Sequence, residues 1–453
     1  MSQVGSSHKL RGIAVVAGGI LVNITLGDTF GNISPYLTSY IRKRSKPTDL
    51  TYEMATWIFV ANVSMLGSCM YFGGLFHRKI GARLTVSIAS IIHSTGIILT
   101  YFSIKHSFYL VIVTYGILSG IGNALGYGAI LACGMKWFPN NKSVVSGSLV
   151  AGVSVGILIF NQIQTAFINP NNLLPKGTRA HKYFDQEEIL DRTPTCFLIM
   201  GACYIVLQLT GVMLMGDPKV DESVSIHPEP QHEGQYILSE ENNKKKDISE
   251  DNLKPSLVIR ERVFWIMWFT LLLSSVTKQL IFPLYKVFGQ NVIFDDHYLA
   301  LVGSLASVFD CLGRLFWGYL GDKFSFRCAM LGLSTCNVVF MLTLILTLET
   351  GKVMFTIWIF AIFFCMSGIF SLFPMATARS FGEEYAGEIY GLLYSSVAVS
   401  TILGTVYINI LSKQVGWIGT FYFCAACSLG GGILAFIFDI GRSVRRVTRE
   451  VPP

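Results

Sequence analysis

Asp310 and Arg314 stand four positions apart inside an apolar run from Tyr298 to Gly321, so acid and base share one face of one helix. A guanidinium presents a planar fork that grips a carboxylate through two hydrogen bonds. It stays charged at every cellular pH and is only loosely hydrated. An acid beside it can hold the arginine when no anion is present and yield it when one arrives. Two more ionisable groups, Asp28 and Lys278, sit within other apolar runs. Charge at the centre of a lipid-embedded helix costs about 2.5–3.5 kcal/mol per group even on a lenient scale, which makes all four candidates for function. The bland alternative is a pair of structural ion pairs that fix helix packing.

Those residues need a membrane-spanning frame, and the composition supplies one. Of 453 residues, 52% are hydrophobic and 14% charged, well below the charge content of a soluble domain. Apolar segments long enough to cross a hydrocarbon core of about 30 Å recur twelve times, from Gly12–Leu37 to Ile418–Ile440. Lys and Arg favour one side of this arrangement, 21 against 12, with Lys278 and Arg314 left inside spans. That bias predicts both termini in the cytoplasm, although Arg42, Lys43, Arg44 and Lys46 fall on the outer side. The net charge of +7 is dispersed between spans, so no nucleic-acid partner is expected. Ten cysteines form neither a disulfide framework nor a metal-ligand spacing, and no nucleophile with a base, phosphate loop or cofactor motif marks an enzyme.

On the predicted spans, Asp28 and Lys278 each lie about 22–24 Å from the cytoplasmic end, at about 1.5 Å per residue. A contact between them is therefore expected, in which Lys278 either joins a binding site or only neutralises Asp28.

The chain also repeats itself at an offset of 244 residues. Gly74, Lys79 and Arg83, after the second span, map onto Gly318, Lys323 and Arg327, after the eighth, with Arg78 opposite Asp322. The expected fold is all-α and membrane-integral: twelve transmembrane helices in two pseudo-symmetric six-helix halves, residues 1–216 and 263–441. Between them, residues 217–262 hold 18 of the 63 charges and read as a disordered cytoplasmic linker. Residues 442–453 form a basic tail.

Twelve spans in two halves, with Gly318-Tyr-Leu-Gly-Asp322-Lys323 continuing to Arg327, resemble the major facilitator superfamily. The stretch Gly120-Ile-Gly122-Asn-Ala-Leu-Gly126-Tyr127, then Lys136-Trp-Phe-Pro139, is similar to the oxalate/formate antiporter branch, close to the monocarboxylate transporters. The glycines at 116, 120, 122, 126, 152 and 156 are expected to serve helix packing. Asp310-x-x-x-Arg314 resembles the paired acid and arginine of the monocarboxylate transporters' eighth span. The resemblance implies that Arg314 holds a substrate carboxylate and Asp310 takes part in proton coupling. It also implies gating loops at Arg78, Lys79 and Arg83 and at Asp322, Lys323 and Arg327. This chain departs from the family by carrying Asp28, where a first-span lysine is usual.

The expectation is a secondary transporter of a small carboxylate, coupled to a proton or a counter-anion, in the cell membrane or an organelle membrane. Amino acids or organic cations bound through Asp28 and Asp310 are the second transporter reading. A non-transporting sensor or scaffold that has kept the fold is the third.

Overall fold

A backbone that enters lipid must satisfy its own N–H and C=O groups, and this chain does so with helices. The computed structural model describes residues 2–27, 29–138, 142–178, 181–218, 253–291, 293–382, 385–410 and 412–438. Among the described residues, twelve helices are long and apolar enough to cross a membrane. Spans 1 to 6 are Lys9–Arg44, Tyr52–Ile80, Ala82–His106, Phe108–Trp137, Val145–Ile168 and Glu187–Leu214. Spans 7 to 12 are Arg262–Gly289, Asp296–Lys323, Phe326–Thr350, Lys352–Phe381, Ala386–Ile410 and Gln414–Ile437. The side on which span 1 begins is called inner below.

The twelve expected spans are all present, with two informative differences. Span 1 is two helices, Ser2–Thr25 and Phe30–Arg44, rather than one. Side chains hold both edges of the break: Gln208 donates to the Thr25 hydroxyl at 2.8 Å and Gln164 to that of Thr29 at 2.7 Å. Span 1 also runs on to Arg44, which explains the basic cluster on the outer side. Lys43 pairs with Asp185 at 2.6 Å, and Arg44 pairs with both Glu187 and Asp191. Those acids hold the Lys43 and Arg44 charges locally. The hydrogen bond and charge of Lys43 hold the Asp185 carboxyl below its ordinary range. One small exception to an all-helical fold lies in the same outer loop, an antiparallel pair of three-residue strands, β1 (Lys176–Thr178) and β2 (His181–Tyr183), with Lys176 opposite Tyr183.

Glycines set the closest helix contacts, as the sequence suggested. A Cβ at Gly156 would overlap the Ile24 carbonyl, and one at Gly152 would lie 2.8 Å from that of Ile20, so spans 1 and 5 touch backbone to backbone. Across the halves, span 2 packs on span 11, span 5 on span 8, and the outer piece of span 1 on span 7.

Most of the expected linker (219–252) and the tail (442–453) lie outside the described residues. The linker's two ends do not share the disorder expected of it. Asp217 accepts the Ala82 backbone N–H at 2.7 Å and meets His77 Nε2 at 2.9 Å. At the other end the Leu253 N–H donates to the Phe381 carbonyl, and a short helix, Pro255–Val258, buries Val258 completely.

Candidate substrate site at the half-to-half interface

Span 8 projects Asp310 and Arg314 from one face, and the guanidinium Nη2 lies 2.7 Å from Asp310 Oδ2. Span 7 brings a second cation to the same carboxylate: Lys278 Nζ lies 3.2 Å from Oδ1. The opposite half contributes Ser154 of span 5, whose hydroxyl donates to Oδ2 at 3.3 Å. One acid is thus shared by two bases and a hydroxyl, with Asp310 only 4% exposed. Arg314 also reaches across the halves, with Nη1 3.5 Å from the Val150 carbonyl. Its buried Nε has no hydrogen-bond partner among the described residues. Aromatic rings flank the centre, with Lys278 Nζ 4.5 Å from the centroid of Phe370 and 5.9 Å from that of Phe282.

Three of the four expected membrane charges therefore converge, in a way the sequence did not anticipate. Lys278, expected to face Asp28, rests its ammonium on Asp310, and the expected contact with Asp28 lies outside the described residues. Asp28 lies outside the described residues, between Gly27 and Thr29 at the break in span 1.

Just outward of this centre is a small pocket lined by Thr29, Gly31, Asn161, Phe282, Tyr285 and Gly303, among others, with room for about one water molecule. Beyond it is a second charged cluster that the sequence reading missed. Lys286, fully buried, pairs with Asp296 at 3.0 Å and donates to Asn32 Oδ1 at 3.0 Å and to the Tyr36 hydroxyl at 3.2 Å. The Tyr36 hydroxyl in turn donates to Asp296 Oδ2, which also accepts from Asn169 Nδ2 at 3.0 Å. Lys286 and Asp296 come from the second half, while Asn32, Tyr36 and Asn169 come from the first. This network closes the outer side of the interface.

At the inner end the gating positions divide by half. Arg78 pairs across the interface with Glu388 at the start of span 11. Asp322, at the equivalent position of the repeat, pairs within its own half with Arg379 at 2.9 Å. Arg83 Nε donates to the Met215 carbonyl at 2.9 Å, and Arg327 Nε donates to that of Phe438. Lys79 and Lys323 are exposed, the latter with its ammonium 5.5 Å from the Tyr319 ring centroid.

The sequence matches the Major Facilitator Superfamily over residues 14–292 and again over 267–452. Apicoplast pyruvate carrier 1 of Toxoplasma gondii is 27% identical, over 89% of this chain and 84% of its own length. The oxalate:formate antiporter of Oxalobacter formigenes is 22% identical, over 84% and 81%. Monocarboxylate transporter 12 of Mus musculus is also 22% identical, over 97% and 88%. The crystal structure of a D-xylose-proton symporter superposes with a TM-score of 0.65 at 12% identity, covering 96% of this chain and 98% of that one, which is a likeness of fold.

Proposed function

We propose that this chain, which belongs to the Major Facilitator Superfamily, carries small carboxylates across a membrane by alternating access, with Arg314 as the anion's anchor. The observation that carries this reading is the sharing of the single Asp310 carboxylate between Arg314 and Lys278, deep in the interface. An incoming carboxylate can take Asp310's place on the guanidinium, whose fork accepts either oxygen pair. Asp310, once displaced, is the group that takes a proton in symport. Lys278 is a second cation for the bound anion.

Among the described residues of this centre, one carboxylate faces two cations, an arrangement suited to an anionic cargo. The names of the relatives agree with an organic acid as cargo and, for the Toxoplasma proteins, with an organelle membrane as its place. Arg314→Gln, which keeps a polar side chain but removes the charge and the guanidinium fork, abolishes pyruvate and lactate uptake into proteoliposomes on this reading. Full retained uptake overturns it.

A further inference from the structure

The repeat between the halves breaks at one outer loop. Residues 169–186 join spans 5 and 6 of the first half, whereas residues 411–413 join the equivalent spans 11 and 12 of the second. A helix leaves its first N–H and last C=O groups without intrahelical partners, and a capping side chain usually comes from the residue just before the helix. Here the longer loop caps helices of the other half. Asn172 Oδ1 accepts the backbone N–H groups of Asp296 at 3.0 Å and His297 at 3.1 Å, in the first turn of span 8. Its Nδ2 donates to Asp295, the residue that caps span 8 from within its own half. Lys182 Nζ donates at 2.8 Å to the carbonyl of Gln290, which closes span 7. A cation there also meets the negative end of the helix dipole.

The loop is fastened to the first half. Asn172 has a left-handed backbone, φ 51°, which asparagine tolerates better than most residues. The Tyr52 hydroxyl donates to the Lys182 carbonyl, and the rings of Tyr52 and Tyr183 stack with centroids 4.8 Å apart. The Phe184 N–H donates to the Ser39 hydroxyl at 3.0 Å. Toward the second half, by contrast, the contact is not close-packed between its two anchor points. A cavity lies there, lined by Leu174, Pro175, Ile293, Phe294 and Leu299, among others. Separation at this place breaks a few directional bonds and gives up little packing.

We propose that Asn172 and Lys182 form a latch through which the first half holds the outer side closed, by capping the adjoining ends of spans 7 and 8, and that outward opening releases it. The latch acts whatever the cargo. Its bonds exist only while the two halves meet on the outer side, so removing one shifts the balance toward the outward-open form. The net value of such bonds corresponds to a change of about twofold to tenfold in that balance.

The test needs no substrate. Ser304 of span 8 is fully buried between the halves, where its hydroxyl accepts from Gln162 of span 5 at 2.8 Å. Ser304→Cys places a thiol there that becomes reachable from outside when the outer side opens. The full chain with this substitution is reconstituted in proteoliposomes, a membrane-impermeant maleimide is added, and labelling of position 304 is followed by peptide mass spectrometry. Cys328, exposed at the inner end of span 9, identifies molecules inserted the other way round. On this background Asn172→Gly removes the capping side chain yet permits the left-handed backbone. It is expected to raise the labelling rate at 304 by about twofold to tenfold, as is Lys182→Met. Lys182→Arg, which keeps the cation, should stay near the reference rate. Cys196 and Cys424, buried in the first and second halves, should remain unlabelled throughout. An unchanged rate at 304 in both Asn172→Gly and Lys182→Met overturns the latch. So does a rise of equal size at Cys196 and Cys424, which marks general loosening rather than opening. With no anion present, either outcome stands apart from the carboxylate reading.

Discussion

Arg83 and Arg327, 244 positions apart, do the same job in the two halves: each donates its Nε to a backbone carbonyl just past the inner end of its half's sixth helix. Those carbonyls lack intrahelical partners and carry the negative end of the helix dipole, so a fixed cation is well placed there. Replacing either arginine with glutamine should lower stability by about 0.3–1 kcal/mol. Because the two sites belong to different halves, the double variant should show the sum, within error. Thermal unfolding of purified protein in detergent gives the comparison, and a double variant no weaker than either single one counts against equivalent roles.

Asp310→Asn separates anchoring from coupling. The amide preserves the shape but cannot take up and release a proton, so acceleration of uptake by an inward proton gradient should disappear. Exchange of internal for external anion through Arg314 should persist. Gradient-driven accumulation at the wild-type level in this variant would remove Asp310 from the proton path.

The outer cluster should respond asymmetrically to mutation. Lys286→Met leaves Asp296 buried without its counter-charge, and breaking one side of a buried ion pair costs about 3–5 kcal/mol. Adding Asp296→Leu removes the stranded charge and should recover part of that loss, offset by the loss of the hydrogen bonds that Tyr36 and Asn169 donate to Asp296. Expression level and thermal midpoint report the order: wild type, then double variant, then Lys286→Met. A double variant less stable than Lys286→Met alone contradicts the pairing.

Acidification should leave the outer cap of span 8 intact over the range in which transport is assayed. Burial alone raises the Asp295 carboxyl's pKa. The Tyr298 N–H at 2.9 Å, Asn172 Nδ2 at 3.0 Å and the neighbouring His297 outweigh that and hold it below its ordinary 3.8. A depressed folded-state pKa contributes stability that is present above 3.8 and is lost as pH falls through the still lower folded value. Any change in uptake between pH 7 and 5 should therefore be the same in Asp295→Asn as in wild type. A profile displaced by this substitution would assign part of the pH dependence to the cap.

The spans and the Asp310–Arg314 pair were readable because both follow from local rules, whereas the approach of Lys278 to Asp310 does not. Apolar runs of helical length declare themselves, and an acid and a base four apart in such a run must share a face. The outer cluster escaped for a reason of position. Lys286 falls near the end of its apolar run and Asp296 just before the next, so each looks like an ordinary loop charge. Their burial comes from Asn32, Tyr36 and Asn169, more than a hundred residues away, and no local pattern encodes it. The break in span 1 did leave a trace. Gly27-Asp28-Thr29 is a helix-breaking triplet inside a stretch otherwise apolar enough to be taken as continuous.

That break divides loyalties within a single span. The inner piece packs on spans 5 and 6 of its own half, through backbone contacts at Gly152, Gly156 and Gly211. The outer piece leans on span 7 and carries Tyr36 into the outer network. The inner helix ends at Thr25 and the outer one begins at Phe30. One span thereby touches both halves of the molecule, its inner piece seated on the first and its outer piece shared between the first and span 7 of the second.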